Sequence, residues 1–339
     1  MKKVLFLSHE LSATGAPKML YYAALAVKNS GGFPTVFSPI DGVMRQKLTQ
    51  ADIPVVIDQR ISLELVQNFE VVVVNTVIQP AVVRALVKVP NLTVVWWLHE
   101  SQLLASILGD NKDLADSNVR IICVSEYAKS FMPAGFRAEV LLNGIPDDVS
   151  PTALNQSCGR KLTFSVLGTI EPNKGQDIFC AAIASLPPKV RQNCRFIMAG
   201  RLLKSNTAFW QAAYAPVQDF KEVQYVGALH PDEVSAVIGA SDVIVCCSRD
   251  ESFSLVCIEA AKYQRAVLLN DHVGVANIFM QEDSCLVFDV GNAQSLANAM
   301  CFAYENPEKV EMLGTKARNT FERYFSFEQF AKSFLAQLD

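Results

Sequence analysis

Short runs of Val, Ile and Leu recur along the chain, separated by stretches with helical apolar spacing. In the first half the runs occupy residues 4–7, 35–37, 55–57, 71–74, 93–98, 121–124 and 140–142. They are continuous rather than alternating, which suits parallel strands covered on both faces. Residues 18–28, 44–50, 61–68, 82–87 and 126–132 between them read as helices. Such a βαβ series predicts a doubly wound α/β domain. The second half repeats the style. Strands are expected at 162–167, 195–199, 223–225, 243–246, 266–269 and 285–288, and helices at 176–185, 206–215, 231–238, 254–262, 275–280 and 293–304. Two amphipathic helices, 307–324 and 326–338, close the chain.

Between the halves, residues 147–161 are polar and follow Pro146, with Pro151 and Gly159 inside, as an interdomain linker would be. Residues 1–150 and 160–319 are therefore expected to form two Rossmann-like domains facing each other across a cleft. In open α/β sheets ligands bind beyond the carboxyl ends of the strands, so the loops after the strands are where chemistry is to be sought.

Composition narrows the classes. Half of the 339 residues are apolar, enough for sizeable cores, which excludes a disordered or fibrous chain. Thirty Lys and Arg against 34 Asp and Glu give a net charge of −4, not the balance of a general nucleic-acid binder. The nine cysteines are odd in number, lie mostly in apolar stretches and form no CxxC pair, so reduced, buried thiols in a cytoplasmic protein are expected. The most apolar stretch, 71–97, is interrupted by Asn75, Thr76, Gln79, Pro80, Arg84, Lys88 and Pro90, and no run approaches a membrane span. A soluble protein is expected, with peripheral contact at the inner membrane face left open. His9, His230 and His272 are scattered, without carboxylate or cysteine at ligand spacing, so zinc is not expected.

The segment Cys247-Ser-Arg-Asp-Glu251-Ser-Phe-Ser-Leu-Val-Cys-Ile-Glu259-Ala-Ala carries the strongest signal. A strand ends, a polar turn follows, and an apolar helix begins near Ser254, a suitable N-cap. A helix N-terminus after a parallel strand is an anion site fit for a diphosphate. Glu251 would sit in the loop before the helix, free to accept hydrogen bonds from hydroxyls. Glu259, on an otherwise apolar helix, requires a partner if buried. Spacing alone equally allows a solvated Glu251 and a core salt bridge at Glu259.

The register Ser248, Glu251, Phe253, Leu255, Glu259, Ala260 resembles the E-x7-E signature of retaining glycosyltransferases of family 4, which have the two-Rossmann GT-B fold. Cys247 stands for the usual proline and Ser254 for the usual glycine. The resemblance implies that Glu251 binds donor-sugar hydroxyls. It implies that the backbone around Ser252, Phe253, Ser254 and Leu255 holds sugar and diphosphate, and that Glu259 binds the ribose. The segment Gly168-Thr-Ile-Glu-Pro-Asn-Lys174-Gly175 resembles the family's G-R-L-x-x-x-K-G, with Lys174 offsetting the charge of the leaving nucleoside diphosphate. Taken alone, Lys174-Gly175 reads as a solvated loop end. Thr169 stands where the family has arginine, and Arg201 and Arg249 are the nearby cations, by loop position, that could replace it.

Other segments fall in family order. Ser12-Ala-Thr-Gly15-Ala16-Pro17 resembles the glycine-rich first loop beside the diphosphate. Trp96-Trp97-Leu98-His99 ends a strand on a histidine, which the family often places near the transferred sugar; without the resemblance it reads as a satisfied strand-end histidine. Val226-Gly227-Ala-Leu229-His230 matches the loop beside the base. Asp271-His272-Val273-Gly274 resembles a later G-G-x-x-E loop, with Asn277 in place of the glutamate. The Phe-rich tail (Phe321, Phe325, Phe327, Phe330, Phe334) reads as core packing, and in GT-B proteins a helix at about 320–339 crosses back to the first domain.

The resemblance thus implies a transferase that moves a sugar from a nucleotide-diphospho donor, a UDP- or GDP-sugar, to a glycan, lipid-linked or small-molecule acceptor, without an essential metal or other cofactor. Bacterial cell-surface glycan synthesis is the expected setting. A non-catalytic GT-B subunit and a nucleotide-sugar epimerase of the same fold are the alternatives. An NAD-dependent oxidoreductase would need the G-x-G-x-x-G that is missing.

Overall fold

The computed structural model describes residues 2–150 and 161–339, and they divide into two compact units, Met1–Pro146 with Tyr324–Asp339, and Asp147–Arg323. Most of the expected linker, with Pro151, Cys158 and Gly159, lies outside the described residues.

The strands of the first unit are β1 (Lys3–Leu7), β2 (Phe33–Ser38), β3 (Val55–Ile57), β4 (Val71–Asn75), β5 (Thr93–Leu98), β6 (Arg120–Cys123) and β7 (Glu139–Val140). They form one sheet in the order β3-β2-β1-β4-β5-β6-β7, and every pairing is parallel. The connecting helices are α1 (Gly15–Asn29), α2 (Met44–Gln50), α3 (Leu63–Val66), α4 (Pro80–Leu86), α5 (Gln102–Gly109) and α6 (Glu126–Lys129). The continuous apolar runs are explained by burial: β4 is buried at every position, as are all but the first residues of β1 and β5. The C-terminal helix Phe327–Ala336 closes this unit. Phe334 stacks 6.0 Å from Phe6, and Phe330 lies 5.8 Å from Trp97.

The second unit continues with β8 (Leu162–Leu167), α7 (Gln176–Ser185), α8 (Pro188–Asn193), β9 (Cys194–Ala199), α9 (Thr207–Tyr214), β10 (Val223–Tyr225), α10 (Pro231–Ala240) and β11 (Val243–Val245). It ends with α11 (Leu255–Lys262), β12 (Ala266–Leu269), α12 (Ala276–Gln281), β13 (Cys285–Val287), α13 (Ala293–Glu305) and α14 (Pro307–Thr320). Its sheet, β10-β9-β8-β11-β12-β13, is again wholly parallel and repeats the strand order of the first. In each sheet the order reverses beside the first strand, between β1 and β4 and between β8 and β11. Those two switch points are where loops diverge and leave room for a ligand.

Four larger differences from the sequence expectations lie in the helices. Helices α5 and α8 were not expected. Helix α1 begins at Gly15, not at 18, so Gly15, Ala16 and Pro17 form its first turn rather than a preceding loop; proline is tolerated there because first-turn amides have no intrahelical partner. The helix expected at 307–324 ends at Thr320 in a π-helical turn, Phe321–Phe325, where the chain passes from one unit to the other. The eight cysteines among the described residues are free thiols, six of them buried. Among the described residues, no helix is long and apolar enough to cross a membrane.

Candidate active site

The switch point of the second unit is assembled by three loops that follow β8, β9 and β11. Two glycines let the backbones meet. A Cβ on Gly200 would lie 1.7 Å from the Gly168 carbonyl oxygen, so the loops after β8 and β9 can pair, with Gly168 N donating to Ala199 O at 2.9 Å and Ile170 N to Arg201 O at 3.0 Å. Gly175 has φ +69°, and a Cβ there would lie 2.2 Å from the Cys247 carbonyl oxygen. Both constraints require glycine. The second presses the Lys174 loop against the Cys247–Glu251 turn.

That contact brings Lys174 and Glu251 together. The Lys174 ammonium donates to Glu251 Oε2, and Ser248 Oγ donates to the same oxygen at 3.3 Å. The two side chains are only 28% and 17% exposed, so Lys174 is no solvated loop end and Glu251 is not the free acceptor the sequence suggested. Burial alone would lower the Lys174 pKa; the Glu251 carboxylate reverses this and pushes it up to about 12. The ammonium therefore stays charged at any physiological pH.

Glu251 is also fixed through its backbone. Its N–H donates to His272 O at 3.0 Å, and its carbonyl accepts from Gly274 N at 2.8 Å, tying the turn to the loop after β12. Asn270, fully buried, donates to Ser248 O at 3.0 Å and accepts from His272 N at 2.9 Å. Asn277 is exposed on α12.

Ser254 occupies the N-cap position of α11 but does not cap it with its side chain. Its φ is +87°, a left-handed conformation that a Cβ disfavours, and its hydroxyl points down to sulfur, donating to Cys257 Sγ at 3.3 Å and lying 3.7 Å from Cys246 Sγ. The expected capping serine is corrected accordingly: the residue fills a glycine position, and backbone strain, not a cap, marks the start of the helix. The Phe253 ring is buried, so only its backbone can serve a ligand. Glu259, one turn into α11, is partly buried.

The two candidate replacement cations differ. Arg249 is committed: its guanidinium is bidentate to Asp177 of α7, at 3.0 and 2.6 Å, and also donates to Pro172 O. Arg201 is exposed beside the loop after β8, and its guanidinium has no partner among the described residues. Thr169 is partly buried, its carbonyl accepting from Gln176 Nε2 at 3.0 Å. Leu229 is partly exposed in the loop after β10, whose Gly227 carbonyl accepts from Gly200 N at 2.8 Å.

The switch point of the first unit holds Gly15, Ala16 and His99. Gly15 is exposed and Ala16 partly so in the first turn of α1. His99 follows β5, its ring 4.5 Å from that of Trp97, and its Nε2 lies 2.7 Å from Asn75 Oδ1. Burial, with a smaller contribution from His9, pushes the His99 pKa down to about 3. Asn75 escaped the sequence reading. Its signal was a single amide closing a run of four valines at the carboxyl end of a strand. Among the described residues, no group of three or more His, Cys, Asp or Glu side chains could hold a metal ion.

Comparison with known proteins bears on the fold of both units. The model of "Glycosyl transferases group 1" matches residues 155–320, and that of "Glycosyl-transferase family 4" matches residues 1–114, one on each unit. HepE of Anabaena, solved in complex with UDP and glucose, has the same fold, with a TM-score of 0.85 at 18% identity over 100% of this chain and 99% of that one. Sucrose-phosphate synthase of Thermosynechococcus elongatus gives 0.80 at 17% identity, over 100% and 98%. WaaG, a glycosyltransferase of lipopolysaccharide biosynthesis, gives 0.74 at 16%, over 98% of each chain. By these likenesses the chain has the GT-B fold, with one glycosyltransferase model matching each of its two units. In sequence it is 24% identical over 212 residues to an uncharacterized glycosyltransferase of Methanocaldococcus jannaschii; the match spans 62% of this chain and 56% of that relative's length.

Proposed function

We propose that the protein is a retaining glycosyltransferase that moves a sugar from a nucleotide-diphospho donor to an acceptor hydroxyl. The observation that carries this reading is the Lys174–Glu251 pair across the switch point of the second unit. It sets a permanent cation and a carboxylate at the carboxyl ends of the strands, beside the start of α11. A nucleoside diphosphate needs the first, together with amides at a helix N-terminus; sugar hydroxyls need the second.

In this reading the donor lies on the second unit and the acceptor is read by the first. Glu251 and Ser252 meet the sugar. The backbone of Phe253, Ser254 and Leu255, with Gly168 and Thr169, meets sugar and diphosphate, and Glu259 meets the ribose. Leu229 lies by the base. Lys174 neutralises the charge that grows on the leaving diphosphate as the glycosidic bond breaks, and such preorganised charge is the largest lever available to this chemistry. Arg201 supplies the second cation that Thr169 lacks. In the first unit, Gly15, Ala16 and His99 are the residues that the family resemblance assigns to diphosphate and transferred sugar. Same-face attack, with the donor phosphate helping to take the acceptor proton, follows from the E-x7-E register. The complex of HepE with UDP and glucose makes a UDP-sugar the first donor to try, with GDP-sugars next. Cell-surface glycan synthesis in the cytoplasm, at or near the inner membrane face, is the setting we favour, with a glycan, lipid-linked or small-molecule acceptor.

The test is Glu251→Ala assayed for donor turnover across UDP- and GDP-sugars. The variant should lose transfer by about a thousandfold while its circular dichroism is unchanged, as for removal of a group that acts in the transition state. Wild-type turnover in Glu251→Ala would overturn the assignment.

A further inference from the structure

We infer that Asn75 is a positioning residue that fixes the tautomer of His99 and ties it to the first turn of α1; the catalytic meaning of this rests on the function proposed above. Asn75 is the last residue of β4 and is fully buried. Its Nδ2 donates to Ala16 O at 3.1 Å. A carbonyl can only accept, so the amide group of Asn75 cannot be turned the other way, and Oδ1 must be the atom facing His99. Oδ1 can only accept too. His99 Nε2, 2.7 Å away, therefore carries the proton.

In the neutral ring this makes Nδ1 the acceptor. In that form the ring is an acceptor at Nδ1 and not an acid or a cation. Burial and the neighbouring His9 favour the same neutral state. One amide side chain thus couples three strand ends, those of β1 (through the segment leading to Ala16), β4 and β5, at the switch point of the first sheet.

The backbone around Asn75 is held accordingly. Thr76, the next residue, has φ +95°, strain of a kind that persists only where neighbours enforce it. Here they do. Thr76 N donates to Trp97 O at 2.7 Å, and Trp96 Nε1 donates to Thr76 O at 2.8 Å. The Glu100 carboxylate accepts from the backbone N–H groups of both Val77 and His99, each at 3.0 Å. The turn that delivers Asn75 and the turn that delivers His99 are locked to each other. Of the nearby ionisable groups, His9, after β1, acts on the imidazole, and Glu100 holds the His99 backbone N–H.

The experiment is a two-bond proton–nitrogen correlation spectrum of the full chain labelled with 15N-histidine, which distinguishes the two neutral tautomers from imidazolium. The chain has four histidines, and His99→Gln identifies the signal. Wild type should show His99 as the Nε2–H tautomer, without titration between about pH 8 and pH 5. In Asn75→Asp a carboxylate replaces the amide, so His99 should titrate inside that range. In Asn75→Ala both tautomers should be populated. With the donor that the enzyme turns over, Asn75→Ala should lower kcat by about tenfold, with donor KM within about twofold. An Nδ1–H tautomer in wild type, ordinary titration near pH 6.5, or an Asn75→Asp spectrum identical to wild type would overturn the inference. The wild-type spectrum decides even where a variant fails to fold. The spectra need no turnover, so failure of the transferase reading would appear separately, as absence of donor cleavage with the tautomer intact.

Discussion

Ser254 offers a sharp test of the local physics at the donor site. It is 6% exposed and sits at φ +87°, ψ +89°, ahead of the first turn of α11. A residue with a Cβ in the left-handed region carries a penalty of ~1–2 kcal/mol. Its hydroxyl makes only sulfur contacts, at 3.3 and 3.7 Å. Ser254→Gly and Ser254→Ala lose those contacts equally, so comparing the two variants isolates the backbone. Elsewhere alanine is the more stable of the pair, because glycine frees the unfolded chain by about 0.4–1 kcal/mol. At position 254 the strain outweighs that entropy, and the order should invert: Ser254→Gly should be more stable than Ser254→Ala by about 0.5–1 kcal/mol. For a domain of this size that is a difference of about 1–4 °C in the melting temperature. Scanning calorimetry of the two variants, with Ala260→Gly in the same helix as the ordinary case, measures it. If Ser254→Ala melts at or above Ser254→Gly, the strain assigned to this turn is not there.

Two further outcomes follow from the charges. Arg201→Ala should weaken UDP binding by about tenfold and leave the melting temperature of the unliganded protein within about a degree, because its guanidinium is exposed. Arg249→Ala should instead lower stability by under ~1 kcal/mol, through loss of its half-exposed pair with Asp177, and leave affinity alone; titration calorimetry with reversed results would exchange their roles. Acid should destabilise the first unit through His99. Its folded pKa, about 3, lies below the unfolded value near 6.5, so the unfolded chain takes up a proton that the folded one refuses. The stability is fully present above about pH 6.5 and is lost as pH falls toward 3, by on the order of 2 kcal/mol between pH 7 and pH 5. Urea unfolding should show that loss in wild type and not in His99→Gln; parallel curves would contradict it.

The sheets were legible because strands buried on both faces leave uninterrupted apolar runs. Residues 93–98, 162–167 and 266–269 begin and end where the runs do. Helix α5 was not legible for the converse reason. Its Leu-Leu-Ala-Ser-Ile-Leu stretch has little polar face, with Leu103 45% exposed while Leu104 and Leu108 are buried, so no helical period stands out. Helix α8 is six residues long and opens on two prolines, which read as a loop. At the site, single-residue identities carried the signal and contacts did not. Nothing in the sequence pairs Lys174 with Glu251 or Arg249 with Asp177, because those partners are 77 and 72 residues apart and meet only through the close approach at Gly175. Ser254 looked like a cap because caps are recognised by residue type, whereas its dihedral angles are a property of the folded turn. Asn75 stood in the sequence only as a break in a hydrophobic run; its two partners come from different loops.

Donor binding requires a nucleoside diphosphate at the switch point of the second unit, and the most direct measurement is a thermal-shift titration of the full chain with UDP, GDP and their common sugar conjugates. A ligand at about 100 times its dissociation constant stabilises a fold by ~2.7 kcal/mol, a shift of several degrees. One nucleotide series should raise the midpoint in wild type, and Glu259→Ala should remove the shift. If no nucleotide moves the midpoint, or if Glu259→Ala responds as wild type does, the donor site is not where this account puts it.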